Sequence, residues 1–106
     1  MQDSGSVSDE ELFHRMHQKV AETYALLSGR PQNGQGCWFA ETIVRGELWR
    51  LEIDSDQSWR LLFGSHHLVL AQHRAGTPLA RPIFGRHRIR FVSTFTTLIG
   101  KVRQLS

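Results

Sequence analysis

The sequence predicts an α+β fold, with an N-terminal helix, a four- or five-stranded antiparallel sheet and a short C-terminal helix. Three observations point there. Apolar residues recur at helical spacing over residues 9–28, the pattern switches to alternation after residue 36, and turn signals cut the alternating region into strand-sized pieces.

The first helix is marked at both ends. Ser8 followed by Glu11 forms an S-x-x-E capping box, and Val7 with Leu12 can staple the chain around it. Asp9, Glu10 and Glu11 occupy the first turn, where the helix dipole favours negative charge. Phe13, Met16, Val20, Tyr24 and Leu27 form one apolar stripe; Gly29 suits the C-terminal cap and Pro31 bars continuation, so the helix is expected over 9–28. Residues 1–7 are expected to form a disordered tail and 8–106 a single domain.

"RPQNGQG" (30–36) is a connector. Residues 37–45 predict a strand ending at a turn on Gly46. In 47–54, Trp49, Leu51 and Ile53 share one face and Arg50, Glu52 and Asp54 the other, the signature of a half-buried antiparallel strand. "DSDQS" (54–58) is a hairpin tip, 59–63 a third strand, Gly64-Ser65 a turn and 66–74 a fourth strand. Two prolines and two glycines make 75–85 a loop or irregular edge. A last strand is expected over 86–92, running on to Thr97 in one alternative. Otherwise Ser93 caps a closing helix with Phe95, Leu98, Ile99, Val102 and Leu105 on one stripe, weakened by Gly100 by roughly 1 kcal/mol.

Composition narrows the class. The 106 residues are 40% apolar with three Trp and six Phe, enough for a core without metal or disulfide staples. Cys37 is the sole cysteine, which excludes an internal disulfide and a thiolate zinc cluster. The polar, acidic N-terminus is unlike a signal peptide, and no apolar run reaches the roughly 20 residues that span a bilayer, so a soluble cytoplasmic protein without membrane contact is expected.

Charge is divided along the chain. Residues 1–56 hold all ten acids and five cations, a net −5; residues 57–106 hold eight cations and no acid, a net +8. Eleven of the thirteen cations are arginine, the side chain suited to bidentate contact with phosphate or carboxylate. In the extended stretch RHRIRF, Arg86, Arg88 and Arg90 would form one row about 6.7 Å apart, with His87, Ile89 and Phe91 turned inward. Together with Arg74, Arg81, Lys101 and Arg103 this row would form a basic surface tracking a nucleic-acid backbone, the best functional expectation. No ribonucleoprotein motif, GXXG loop or zinc finger accompanies it.

The alternative is an accessory subunit or adaptor whose basic half binds an acidic protein, or a homodimer joining acidic and basic halves. Trp38 is the candidate exposed anchor, because its strand lacks a clear polar face, while Trp49 and Trp59 belong in the core. Nucleic-acid binding predicts arginines on one uninterrupted face. An adaptor predicts an exposed apolar patch near Trp38 with arginines at its rim. Acids Glu41, Glu52 and Asp54 set against the arginine row would make that row structural.

Neither metal, cofactor nor catalysis is expected. His14 and His17 lack completing ligands, His66 and His67 face opposite ways, and His67 and His73 stand about 20 Å apart on an extended strand. "NGQG" (33–36) lacks the lysine and preceding strand of a phosphate loop, and Cys37 fits a buried structural role. Glu41 would be the first suspect in any enzymatic site between the helix and strands 37–54.

Overall fold

The computed structural model describes residues 7–79 and 85–106, which form α1 (Asp9–Leu27), β1 (Cys37–Val44), β2 (Glu47–Asp54), β3 (Trp59–Phe63), β4 (Leu68–His73), a 3-10 turn (Gly85–His87) and α2 (Arg88–Arg103). Four strands make one antiparallel meander in the order β1-β2-β3-β4, and both helices lie on one of its faces. The α+β expectation holds, with four strands. Of the expected tail, residues 1–6 lie outside the described residues.

α1 starts where its cap dictates: Ser8 Oγ accepts from Glu11 N–H at 3.0 Å. Its stripe of Phe13, Met16, Val20 and Leu27 is buried, and Gly29 follows the helix at φ 87°. Val44 and Glu47 pair across a two-residue turn in which Arg45 (φ 54°) and Gly46 (φ 79°) both adopt the left-handed conformation that matches strand twist. At the β2–β3 tip, Asp54 N–H donates to Ser58 O at 2.7 Å and Asp56 Oδ1 accepts from Ser58 N–H at 2.9 Å. Between β3 and β4 the register slips, Leu61 facing Ala71 and Leu62 facing Val69, so Leu70 is the extra residue of a bulge.

Alternation sorts the sheet. The helix-covered face carries Trp38, Ile53 and Trp59 in one row and Ala40, Leu51, Leu61 and Ala71 in the next; all are buried. Phe13 and Phe95 approach the Trp59 ring at 5.4 and 6.0 Å, and Phe91 approaches Trp49 at 5.8 Å. α2 packs on β1 and β2, while α1 reaches Trp59 of β3 through Phe13, and Tyr24 donates its hydroxyl to Ser55 O at 2.6 Å. Asp9 meets Arg88 at 3.4 Å, and Lys19 and Arg103 line one groove further along, so the helices run parallel with both N-termini at the same end.

One expected strand is a helix. Residues 86–92 form the 3-10 turn and the start of α2, which begins at Arg88 without a side-chain cap rather than at Ser93. Phe91 is the reason: with Phe95, Leu98 and Val102 it stands at helical spacings of four, three and four, and all four are buried. The alternation of arginine with other residues fits either period, and burial of Phe91 beneath Trp49 selects the helix.

Candidate docking surface

Helical geometry dismantles the arginine row. Residues two apart on a helix lie about 200° apart around its axis, so Arg88 and Arg90 point to different sides. Arg88 turns toward α1, where it pairs with Asp9 and donates to the Val7 carbonyl. Arg90 turns toward the β1–β2 turn. The inward trio also changes: Phe91 is buried, whereas His87 is exposed and Ile89 is 82% exposed.

The remaining described cations sit at two separate elements. Arg74 is exposed just beyond β4, and its carbonyl accepts from Thr77 N–H and Oγ1. Lys101 and Arg103 close the last turn of α2, where positive charge suits the helix dipole. Arg81 and the Arg86 side chain lie outside the described residues. Trp38, expected as an exposed anchor, is 4% exposed and packs against the Tyr24 ring at 6.0 Å. Its strand lacks a polar face at this corner because Cys37 beside it is also buried, and burial pushes the Cys37 thiol up in pKa.

Glu41 and Glu52 find arginines, though not those of the 86–90 stretch. On the helix-free face, Arg50 donates to Glu52 at 2.7 Å and to Glu41 at 2.9 Å, lies 3.7 Å over the Phe39 ring, and Arg60 binds the other Glu52 oxygen. Burial pushes the Glu52 carboxyl up, but the hydrogen bonds from Arg50 and Arg60 outweigh it and hold the group below the ordinary range. Glu41 therefore belongs to a structural network on the side of the sheet away from the helices.

What these residues assemble instead is an apolar ridge rimmed by cations. Ile89 stands between two grooves. One, a cleft of about 360 Å³, is lined by Val44, Arg45, His87, Arg90 and Ser93; the other includes Leu12, Arg15, Arg88 and Val92. An adjoining cleft beneath Arg90 has Trp49, Phe63, Leu70 and Phe91 as walls and Glu47 as its carboxylate. Arg45 and Arg90 form no ion pair among the described residues. Ile43, 69% exposed near the end of the edge strand β1, shares the helix-free face with Phe39 and Glu41. An extended reading of 86–92 turns Ile89 inward and hides this surface; the helical spacing from Phe91 to Phe95 is the signal that turns it out.

Fold and surface together describe a four-stranded meander with two parallel helices on one face and a basic-rimmed apolar cleft at one end. No family model, curated protein or solved structure matches the chain. Among the described residues, no helix is long and apolar enough to cross a membrane.

Proposed function

We propose that this protein is a non-enzymatic docking module that binds a protein partner through the cleft between the end of β1 and the start of α2. The observation that carries the reading is Ile89, exposed to 82% in a cleft whose rim holds Arg45 and Arg90, neither ion-paired among the described residues. An isoleucine left in water supplies apolar contact, and nearby unpaired arginines supply charge-assisted hydrogen bonds. The partner chemistry that matches both is an apolar side chain flanked by carboxylates. Arginine around an apolar centre is also the composition that interface hot spots favour.

A second reading, contact with a nucleic-acid backbone, draws on the same unpaired cations and on the absence of acids from residues 57–106. One experiment separates the two. Fluorescence anisotropy would compare labelled acidic–apolar peptides, acidic peptides without apolar residues, single-stranded DNA, duplex DNA and RNA over a range of salt. Docking of a protein segment predicts binding of the acidic–apolar peptides, weakened about tenfold or more by Ile89→Asp and by Arg90→Glu. Nucleic-acid binding that falls steeply with salt, is reduced by Arg90→Glu and is indifferent to Ile89→Asp would favour the second reading. Binding of neither class at low salt would sink both.

A further inference from the structure

The edge of β1 explains how a partner could use the cleft. β1 is an outer strand of the sheet. Along its first half the outward backbone groups are already taken. Phe39 N–H donates to Asn33 Oδ1 at 2.8 Å, Phe39 O accepts from Asn33 Nδ2 at 2.9 Å, and Cys37 O accepts from Gly34 N–H at 3.1 Å. Asn33 thus acts as a one-residue substitute for a neighbouring strand.

These bonds also fix the parity of the edge. Both backbone groups of Phe39 point away from β2, so Phe39 and Glu52 form a non-hydrogen-bonded pair. Alternation then points the backbone groups of Glu41 and Ile43 outward as well. The two-residue turn agrees, since it requires Val44 and Glu47 to exchange hydrogen bonds and places Ile43 in the outward class. Among the described residues nothing binds the outward N–H or C=O of Glu41 or Ile43. The open half of the edge therefore ends beside the Val44–Ile89 cleft.

We infer that the Glu41–Ile43 stretch of β1 accepts an extended segment of a partner protein as a fifth strand, the segment placing an apolar side chain in the Val44–Ile89 cleft and a carboxylate against Arg45 and Arg90. This rests on the docking reading above and adds its mode. Main-chain hydrogen bonds to the open edge supply affinity and register, while alternate side chains of the added strand reach the helix-covered side, where the cleft lies. Charge selects the occupant. A second copy of β1, set antiparallel with Glu41 against Ile43, would bring Phe39, already covered by Asn33, opposite Arg45 and would offer Arg45 no carboxylate. A foreign acidic segment supplies one.

The test uses the whole chain and a capped peptide with valine and glutamate two residues apart, so that both lie on one face of the added strand, followed by amide resonances and hydrogen exchange. In the free protein the Glu41 and Ile43 amides should exchange fast and those of Ala40 and Thr42 slowly. Peptide should slow the first pair, and a peptide N-methylated on alternate residues should bind at least tenfold more weakly, as should Ile43→Pro, which removes an outward N–H without touching the ladder to β2. Equal binding of the N-methylated peptide would overturn the strand mode while leaving the cleft reading in place. Failure of every acidic–apolar peptide would overturn that reading first. If peptide does not bind and Ile43→Pro instead dissociates a dimer in sedimentation, the edge belongs to a second copy and the partner assignment is wrong.

Discussion

Arg45 occupies a left-handed position where glycine or asparagine is usual, at φ 54°. A long β-carbon-bearing side chain is disfavoured there, and the same residue lines the cleft without an ion pair. Arg45→Asn should therefore raise stability by about 0.5–1 kcal/mol in denaturant melts while weakening binding of acidic–apolar peptide; a loss of stability would show that the side chain is anchored in the fold. Glu52 is the opposite case. It is 6% exposed and held between two guanidinium groups. Glu52→Gln should cost about 2 kcal/mol, read as a shifted urea midpoint, because the negative charge is lost and one of the two oxygens that accept from Arg50 and Arg60 becomes an amide donor. Since the folded pKa of Glu52 is depressed, its contribution is complete above the ordinary value of about 4.5 and is lost as pH falls through the folded value. Wild type should weaken over that acid range more than the variant. The sequence placed Arg50 and Glu52 on a polar strand face, but one chain without pairing register cannot say that Arg60 joins them, because that contact depends on the offset between β2 and β3.

At the scale of elements, the strands from 47 to 63 were legible to the residue, since 47–54 alternates in sequence and both strands end at a strong turn signal. The start of α2 was not. A run of arginines alternating with other residues carries no period of its own, and no capping residue marks the helix, whose N-cap position is His87 with no side-chain bond. The seam between α1 and the sheet was equally hidden. There Trp59 Nε1–H donates to His17 Nδ1 at 3.2 Å, the His17 and His73 rings meet edge to face at 4.5 Å, and His73 Nε2 lies 2.8 Å from Thr77 O. An indole can only donate, so His17 must keep an unprotonated Nδ1. Burial first, then the neighbouring His73 and His14, lowers the His17 pKa. A depressed folded value means that its contribution is whole above about pH 6.5 and disappears as pH falls through the folded value. Amide exchange in α1 should accelerate over that window, and His17→Gln, whose amide oxygen can still accept from Trp59, should flatten the response. An unchanged response in the variant would move the effect to another histidine.

For the whole molecule, the split between an acidic first half and a basic second half is a property of the chain more than of the surface. Among the described residues, Glu11, Glu22 and Glu41 pair with Arg15, Lys19 and Arg50 of their own half, and only Asp9 and Glu52 reach across, to Arg88 and Arg60. Arg30, Arg45, Arg74, Arg90, Lys101 and Arg103 form no ion pair among the described residues, with Arg45 and Arg90 at one end of the sheet and Arg74 beyond β4 at the other. All three tryptophans belong to one core shared by both helices and the sheet. Unfolding should accordingly be a single transition, with tryptophan fluorescence and far-UV circular dichroism coinciding and an enthalpy of about 70 kcal/mol near 60 °C. Separated transitions would mean that a helix peels away before the sheet melts.

The parallel pairing of α1 with α2 also sets an order of events during synthesis. Each strand of the meander can pair with the one made just before it, so the sheet can grow as it leaves the ribosome. The first helix has no such neighbour. Its Phe13 awaits Trp59, and its Asp9 awaits Arg88. Until then its buried stripe stays open to chaperones and to other nascent chains, so α1 precedes the sheet in synthesis but completes its packing only after α2 has begun.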